Sequence, residues 1–321
     1  MRAVWLKEFG GPEVLVAGDA PEPVPRAGQV LIEVAFANIT FVETQHRAGG
    51  TGPFVAQLPM ILGNGVGGVV RAVGPGADEA LAGRRVISGT GGSGGYAEWV
   101  AVDAAATYQV PDAVRLDTAV ALLADGRTAT MLLRAASPDP GERVLVEAAA
   151  GGVGSLLVQL AKAAGAQVVA AAGGTRKTGL ARDLGADVTV DYREPDWTER
   201  VRAAVGEVNV VFDGVGGVIG RSAFDLLGRG GRMVTFGLAS GAWTDVPDET
   251  AAARGVTVVR PRPTPDELRA CTESALAQAA AGALRPVIGQ RFPLERAADA
   301  HAAIESRATV GKTLLVVRAD Q

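Results

Sequence analysis

Residues 148–155 read Ala-Ala-Ala-Gly-Gly-Val-Gly-Ser, and the fold turns on this stretch. It follows an apolar run, residues 143–148, that reads as a strand. It opens a helical pattern in which Val153, Leu156, Leu157, Leu160, Ala161 and Ala164 share one face. A strand, a glycine turn and a helix start together make an anion site, because unpaired amides and the positive end of the helix dipole face outward. Against the G-x-G-x-x-G pattern the chain places Ala149, Gly151 and Gly154. Gly151 lets the backbone approach a pyrophosphate, Gly154 lets the helix pack on the strand, and Ala149 stands in for the first glycine. The alternative is a tight strand-to-helix turn without a ligand. The strand before, the helix after and the alternation beyond weigh for a dinucleotide.

Outward from this motif, strand patterns at 167–172, 187–190, 209–213 and 232–236 alternate with helical ones at 153–164, 177–184 and 219–227. Such alternation implies a doubly wound α/β unit with a parallel sheet. Its short, nearly all-apolar strands suit a sheet buried on both faces. Residues 117–136 read as a helix stopped by Pro138, Pro140 and Gly141. The first third carries strand-like runs at 29–34, 68–73, 85–88 and 96–102, with turn signals at Pro75-Gly76 and Gly91-Gly92 between them. That spacing implies a small antiparallel β-rich unit. Residues 256–260 and the prolines at 261, 263 and 265 mark an exit from the α/β unit. Helices at 266–281 and 297–306 and a strand at 312–317 follow.

Charge distinguishes the two nicotinamide coenzymes. An NAD site usually carries Asp or Glu ~20 residues past the glycines, accepting from the ribose 2′-hydroxyl. Here that position is Gly173, at the end of Val-Val-Ala-Ala-Ala-Gly. Gly174, Thr175, Arg176 and Lys177 follow, and small residues, a hydroxyl and two cations suit a phosphate dianion. The expected cofactor is therefore NADP(H). The alternative is that Arg176 and Lys177 are only a solvated helix start.

Composition narrows the class. The 321 residues suggest about two domains. A 48% hydrophobic and 21% charged chain has enough apolar material to exclude wholesale disorder. The 43 glycines fall in clusters without a collagen period. With 31 basic and 35 acidic side chains the net charge is −4, and no basic excess points to nucleic acid or an anionic membrane. Cys271 is the only cysteine, so an intrachain disulfide and a four-cysteine zinc site are both impossible. His46 and His301 are the only histidines, so a metal would rest mostly on carboxylates. The N-terminus lacks the apolar core of a signal peptide, and no run approaches ~20 apolar residues. A cytoplasmic setting without membrane contact is expected.

Several separated motifs, in order, resemble the zinc-free medium-chain reductases of the quinone oxidoreductase (zeta-crystallin-like) group. They are RAVWLKEFGGPEVL near the start, GGSGGYAEWVAV at 91–102, AAAGGVGSLLVQLAKAAGA at 148–166, VVFDGVGG at 210–217, GGRMVTFGLASG at 230–241 and FPLERAADAHAAIESRATVGKTLL at 292–315. The resemblance implies a GroES-like catalytic domain built from residues 1–118 and 260–321. It implies a Rossmann NADP-binding domain at 119–259, an active site in the cleft between them, and a homodimer. By motif, Thr128 touches the nicotinamide and Gly151, Gly152 and Val153 cradle the pyrophosphate. Gly173, Thr175, Lys177 and Tyr192 surround the 2′-phosphate. Val215, Phe236 and Gly237 line the nicotinamide side, and Arg307 reaches the cofactor. Zinc-dependent relatives carry Cys and Gly-His-Glu where this chain has Thr40 and Gly63-Asn64-Gly65. No metal is expected, and hydride transfer then rests on positioning and hydrogen bonds. The chain departs from the group at Thr40, Glu43 and Gly65, where Asn, Asp and Glu are usual.

A carbonyl that accepts hydride gains negative charge, so a donor should face it. Thr40 is the first candidate and Tyr96 the second; the alternatives are a turn cap and a packing role. Glu43 orients a water or the ribose, or pairs with Arg47 four residues on. His46 reads as surface or rim, His301 as a helix-face residue and Cys271 as a helix residue without redox duty. Asp125 and Arg127, beside Thr128, either gate the cleft or form a local salt bridge. The leading expectation is an NADPH-dependent reductase of quinones or other conjugated carbonyls. The alternatives are an enoyl or enone reductase of a biosynthetic pathway, and a non-catalytic NADPH-binding protein.

Overall fold

The computed structural model describes residues 1–49 and 57–318. The chain divides into two compact units, Met1–Ala124 with Leu276–Gln321, and Asp125–Ala275. The chain begins with β1 (Arg2–Leu6), β2 (Leu15–Asp19) and β3 (Gln29–Ile39), followed by α1 (Phe41–Gly49). Next come β4 (Met60–Ile61), β5 (Gly65–Val73), β6 (Arg85–Gly89), β7 (Trp99–Asp103) and β8 (Thr107–Gln109). β3 outruns its sequence reading by five residues. Its burial alternates as far as Phe36, and then Ala37, Asn38 and Ile39 are all buried, so the period-2 signal stops before the strand does. α1 has no apolar period to announce it. One arm of a capping box starts it: Glu43 reaches back to accept the Thr40 amide at 2.6 Å.

α2 (Leu116–Ala136) leads into the second unit. There β9 (Arg143–Glu147), α3 (Gly152–Ala163), β10 (Gln167–Ala172), α4 (Thr175–Asp183), β11 (Val188–Asp191) and α5 (Trp197–Val205) follow in turn. β12 (Val208–Asp213), α6 (Gly217–Phe224), β13 (Leu227–Thr235), α7 (Asp248–Arg254) and β14 (Thr257–Val259) complete it. The sheet order is β11-β10-β9-β12-β13-β14, with every pairing parallel. That is the 3-2-1-4-5-6 order of the Rossmann fold, whose switch point lies between β9 and β12. Its core packs Leu145, Val169, Val211, Phe224 and Met233, each fully buried. Two readings change here. Residues 256–260, read as an exit, hold the sixth strand, with Val258 opposite Met233. Leu227, read as the end of a helix, starts β13, because α6 stops at Phe224.

The chain then runs through α8 (Pro265–Ala280), β15 (Ile288–Pro293), α9 (Ala297–Glu305) and β16 (Lys312–Val316). β16 lies antiparallel to β3, with Leu315 opposite Ala37, so the tail completes the seven-stranded sheet of the first unit. Val30, Ile32, Leu62, Val66, Val70 and Leu315 form that unit's core.

Candidate active site

The cradle forms where β9 gives way to α3. The N-cap of α3 is Gly151, with extended backbone and no side chain to occupy the first-turn amides. The helix is held close by burial of Leu156, Leu157, Leu160 and Ala161. Gly154 sets the closeness of approach. A Cβ there would lie 2.3 Å from the Ala148 carbonyl oxygen. Gly152 meets Asp125 instead: a Cβ on it would lie 2.0 Å from Oδ2. Asp125 therefore lies beside the cradle. Ala149, which replaces the usual first glycine, is buried and donates its amide to Ala171 at 3.1 Å.

The turn after β10 is the second element of the site. Gly173 carries the Tyr192 ring against it, 3.3 Å from the place of a Cβ. Gly174 has φ 94°, a left-handed conformation that glycine adopts at no cost, and it caps α4. Thr175 and Arg176 are exposed and Lys177 half-buried at the start of that helix. The sequence reading of an acid-free turn needs correction. The carboxylate of Asp191, at the end of β11, accepts the Gly174 amide at 2.9 Å. Its partner Arg193 holds its pKa down at about 2. Neither residue stood out in the sequence, although both flank Tyr192 in Val-Asp-Tyr-Arg-Glu.

Val215 follows β12 and is buried, and its carbonyl accepts from the Ser240 amide at 2.8 Å. The Phe236 ring packs on Gly214, and Gly237 meets the Gly214 carbonyl oxygen 2.5 Å from the place of a Cβ. Beneath this loop lie two fully buried acids from adjoining strands, Glu147 and Asp213. Glu147 accepts from the Val215 amide at 3.1 Å and Asp213 from the Gly216 amide at 2.8 Å. Burial pushes the Glu147 pKa well above its usual 4.5, and the Asp213 charge adds to this. The raised pKa favours the protonated form of Glu147, from which a proton could be donated to Asp213. Its folded pKa is raised, so its contribution to stability is complete below the unfolded value near 4.5 and is lost as pH rises through the folded value. Glu147→Gln supplies a permanent N–H donor instead. Relative to this variant the wild type should lose about 1.4 kcal/mol per pH unit within that window. Urea unfolding across pH checks it; parallel curves would contradict a held proton.

Thr128 lies within α2, and all the residues named above belong to the second unit. Thr40, Glu43, Tyr96 and Arg307 belong to the first. The fully buried Glu43 carboxylate gathers three donors: the Thr40 amide at 2.6 Å, the Thr40 hydroxyl at 2.8 Å and the Asn64 amide at 3.0 Å. Burial raises its pKa against the lowering effect of these bonds and of Lys312. Tyr96 is fully buried, and its hydroxyl lies 3.0 Å from Nε2 of His301. Burial pushes the Tyr96 pKa well up, with Glu43 adding to it. Burial, and then Arg47, holds the His301 pKa down at about 3, so the imidazole is neutral.

Two expectations are revised. His46 is wholly buried, not at a rim. Arg47 pairs with Glu305 and the Gly10 carbonyl, leaving Glu43 to Thr40 and Asn64. His301 lies on a helix, α9, and its partner from that face is Tyr96, which helix periodicity alone does not reveal. Arg307, at φ 59°, stacks its guanidinium 4.5 Å from the Phe41 ring centre. Asn38 was not singled out by sequence. Its buried amide lies against Gly65, 3.1 Å from the place of a Cβ, with neither polar atom paired among the described residues.

Residues 26–112 match the alcohol dehydrogenase GroES-like domain and residues 152–267 match the zinc-binding dehydrogenase family. Among the described residues, no group of three or more His, Cys, Asp or Glu side chains could hold a metal. Quinone oxidoreductase 1 of Escherichia coli is 35% identical over 324 residues, 98% of each chain. Human quinone oxidoreductase is 33% identical over 326 residues, 99% of this chain and 98% of its own. The crystal structure of the Escherichia coli quinone oxidoreductase complexed with NADPH superposes with a TM-score of 0.91 at 34% identity, covering 98% of this chain and all of that one.

Proposed function

The chain belongs to the quinone oxidoreductase family, and from that premise we propose that it is an NADPH-dependent, metal-independent reductase of quinones or other conjugated carbonyls. One observation carries the reading: the start of α3 is a glycine turn whose Gly154 has no room for a Cβ, and a cation-bearing turn suited to a 2′-phosphate follows the next strand.

Gly151, Gly152 and Val153 would hold the pyrophosphate. Gly173, Thr175, Lys177 and Tyr192 would hold the 2′-phosphate. Thr128, Val215, Phe236 and Gly237 would face the nicotinamide, and Arg307 would reach the cofactor. When bound, NADPH supplies a hydride from its nicotinamide ring. Thr40 is the proposed donor to the carbonyl oxygen as negative charge grows there, its single O–H turning from Glu43 to the substrate. Glu43 fixes the Thr40 hydroxyl and its amide, and Tyr96 stands behind Glu43. A hydroquinone anion can take its proton from solvent. An enone also needs a proton at its α-carbon, and the acid that Glu43 places against Thr40 keeps that substrate as the second reading. Zinc-dependent relatives place a thiolate and an imidazole where this chain has Thr40 and Asn64, which supports chemistry without a metal.

NADPH consumption with 1,4-benzoquinone, compared with α,β-unsaturated ketones and thioesters, tests the proposal. Turnover of none of them contradicts it. Lys177→Ala is expected to weaken NADPH about tenfold while leaving NADH unchanged, as loss of one charged phosphate contact requires. Equal weakening of both would make Lys177 structural. We extend the reading to a cytoplasmic homodimer; a monomer in sedimentation equilibrium would contradict the dimer.

A further inference from the structure

The turn after β10 contains an acid that arrives from the next strand. Asp191 is paired in register with Ala172, and its Oδ2 accepts the Gly174 amide at 2.9 Å. In sites that take the unphosphorylated coenzyme, an acid at this end of the sheet accepts from the ribose 2′-hydroxyl. Left bare, Asp191 would repel a 2′-phosphate. It is not bare. Arg193 Nη2 donates to its Oδ2 at 2.7 Å, and Nε donates to Oδ1 at 3.0 Å. The Arg193 amide adds a bond to Oδ1 at 3.0 Å.

The same guanidinium lies across the turn. A Cβ on Gly174 would sit 2.7 Å from Nη2, and one on Gly173 would sit 3.4 Å from the Arg193 Cδ. The Arg193 side chain is 63% exposed and that of Asp191 17%, so the cation forms the outer layer and the acid the inner one. An exposed pair of this kind adds little to stability. It changes the sign of the charge that a ligand meets at Gly173–Gly174. Guanidinium has five donors in a planar fork, and the contacts to Asp191 leave the Nη1 edge to face a phosphate.

We propose that Arg193 sets the coenzyme preference by masking Asp191 and offering its remaining N–H groups to the 2′-phosphate. Without Arg193, Asp191 becomes an acceptor for a ribose 2′-hydroxyl, and preference moves toward NADH. The inference rests on the NADPH reading above and adds a residue that the motifs do not name.

Dissociation constants for NADPH and NADH, read from coenzyme fluorescence on the intact protein, test it. Arg193→Gln should weaken NADPH about tenfold or more and leave NADH within about threefold or tighter. The double variant Asp191→Asn with Arg193→Gln should regain part of the NADPH affinity, because the unmasked charge is gone. Equal weakening of both coenzymes in Arg193→Gln overturns the proposal. So does a double variant no better than Arg193→Gln. A wild type that binds neither coenzyme removes the underlying reading itself, whereas a wild type that binds NADPH beside an unaffected Arg193→Gln removes only the role of Arg193.

Discussion

Replacing Gly154 with alanine is expected to cost about 3 kcal/mol of stability and to abolish measurable NADPH binding, as overpacking against rigid backbone does. The added Cβ would lie 2.3 Å from the Ala148 carbonyl oxygen and 2.9 Å from both the Ala148 carbonyl carbon and the Ala149 Cα. All three atoms are backbone and cannot rotate aside. The first turn of α3 would have to lift from β9, carrying the Gly151–Val153 amides with it. Gly179, within α4, provides the control, because a Cβ there meets nothing within 4 Å. Gly179→Ala should stabilise the chain by about 0.5–1 kcal/mol through helix propensity alone. Urea unfolding and coenzyme fluorescence read both variants. A Gly154→Ala protein with wild-type midpoint and affinity would contradict the close approach.

Glu43→Ala should be comparably damaging, at about 3 kcal/mol or more. It would strip the acceptor from the Thr40 and Asn64 amides, which belong to half-buried residues and face the fully buried Glu43 carboxylate. Each unsatisfied buried donor costs about 1–3 kcal/mol, and the lost side chain adds a cavity. The Thr40 hydroxyl would also lose its partner. Glu43→Gln keeps the volume but turns one acceptor oxygen into a donor that faces a donor, so it should lose about 1–3 kcal/mol. Thermal unfolding ranks the three proteins. If Glu43→Ala is as stable as the wild type, the buried carboxylate is not what organises the start of α1.

The Rossmann unit was legible because its signals are local: apolar runs, glycine turns and a 3.6-residue period around residues 148–164. The strand at residues 257–259 is faint in the sequence because only three residues pair, and the prolines that follow are the stronger signal. In the first unit, Thr40-Phe41-Val42-Glu43 has the capping-box pattern in plain view. The same residues read equally as a hydrogen-bond donor and an acid, and with no apolar period after them the helix goes unannounced. The Tyr96–His301 contact joins positions 205 residues apart, which no local pattern can encode. Asp191 is hidden from the sequence for a related reason. Counting residues past the glycines finds an acid only at the end of the second strand, and here it crosses from the third to reach the Gly174 amide.

A crystal structure of the protein grown with NADPH tests the central claim most directly. The pyrophosphate should sit on the amides of Gly151–Val153, with the 2′-phosphate against the Gly173–Lys177 turn. Density that puts the coenzyme elsewhere, or an α3 start without it at saturating concentration, would contradict the account.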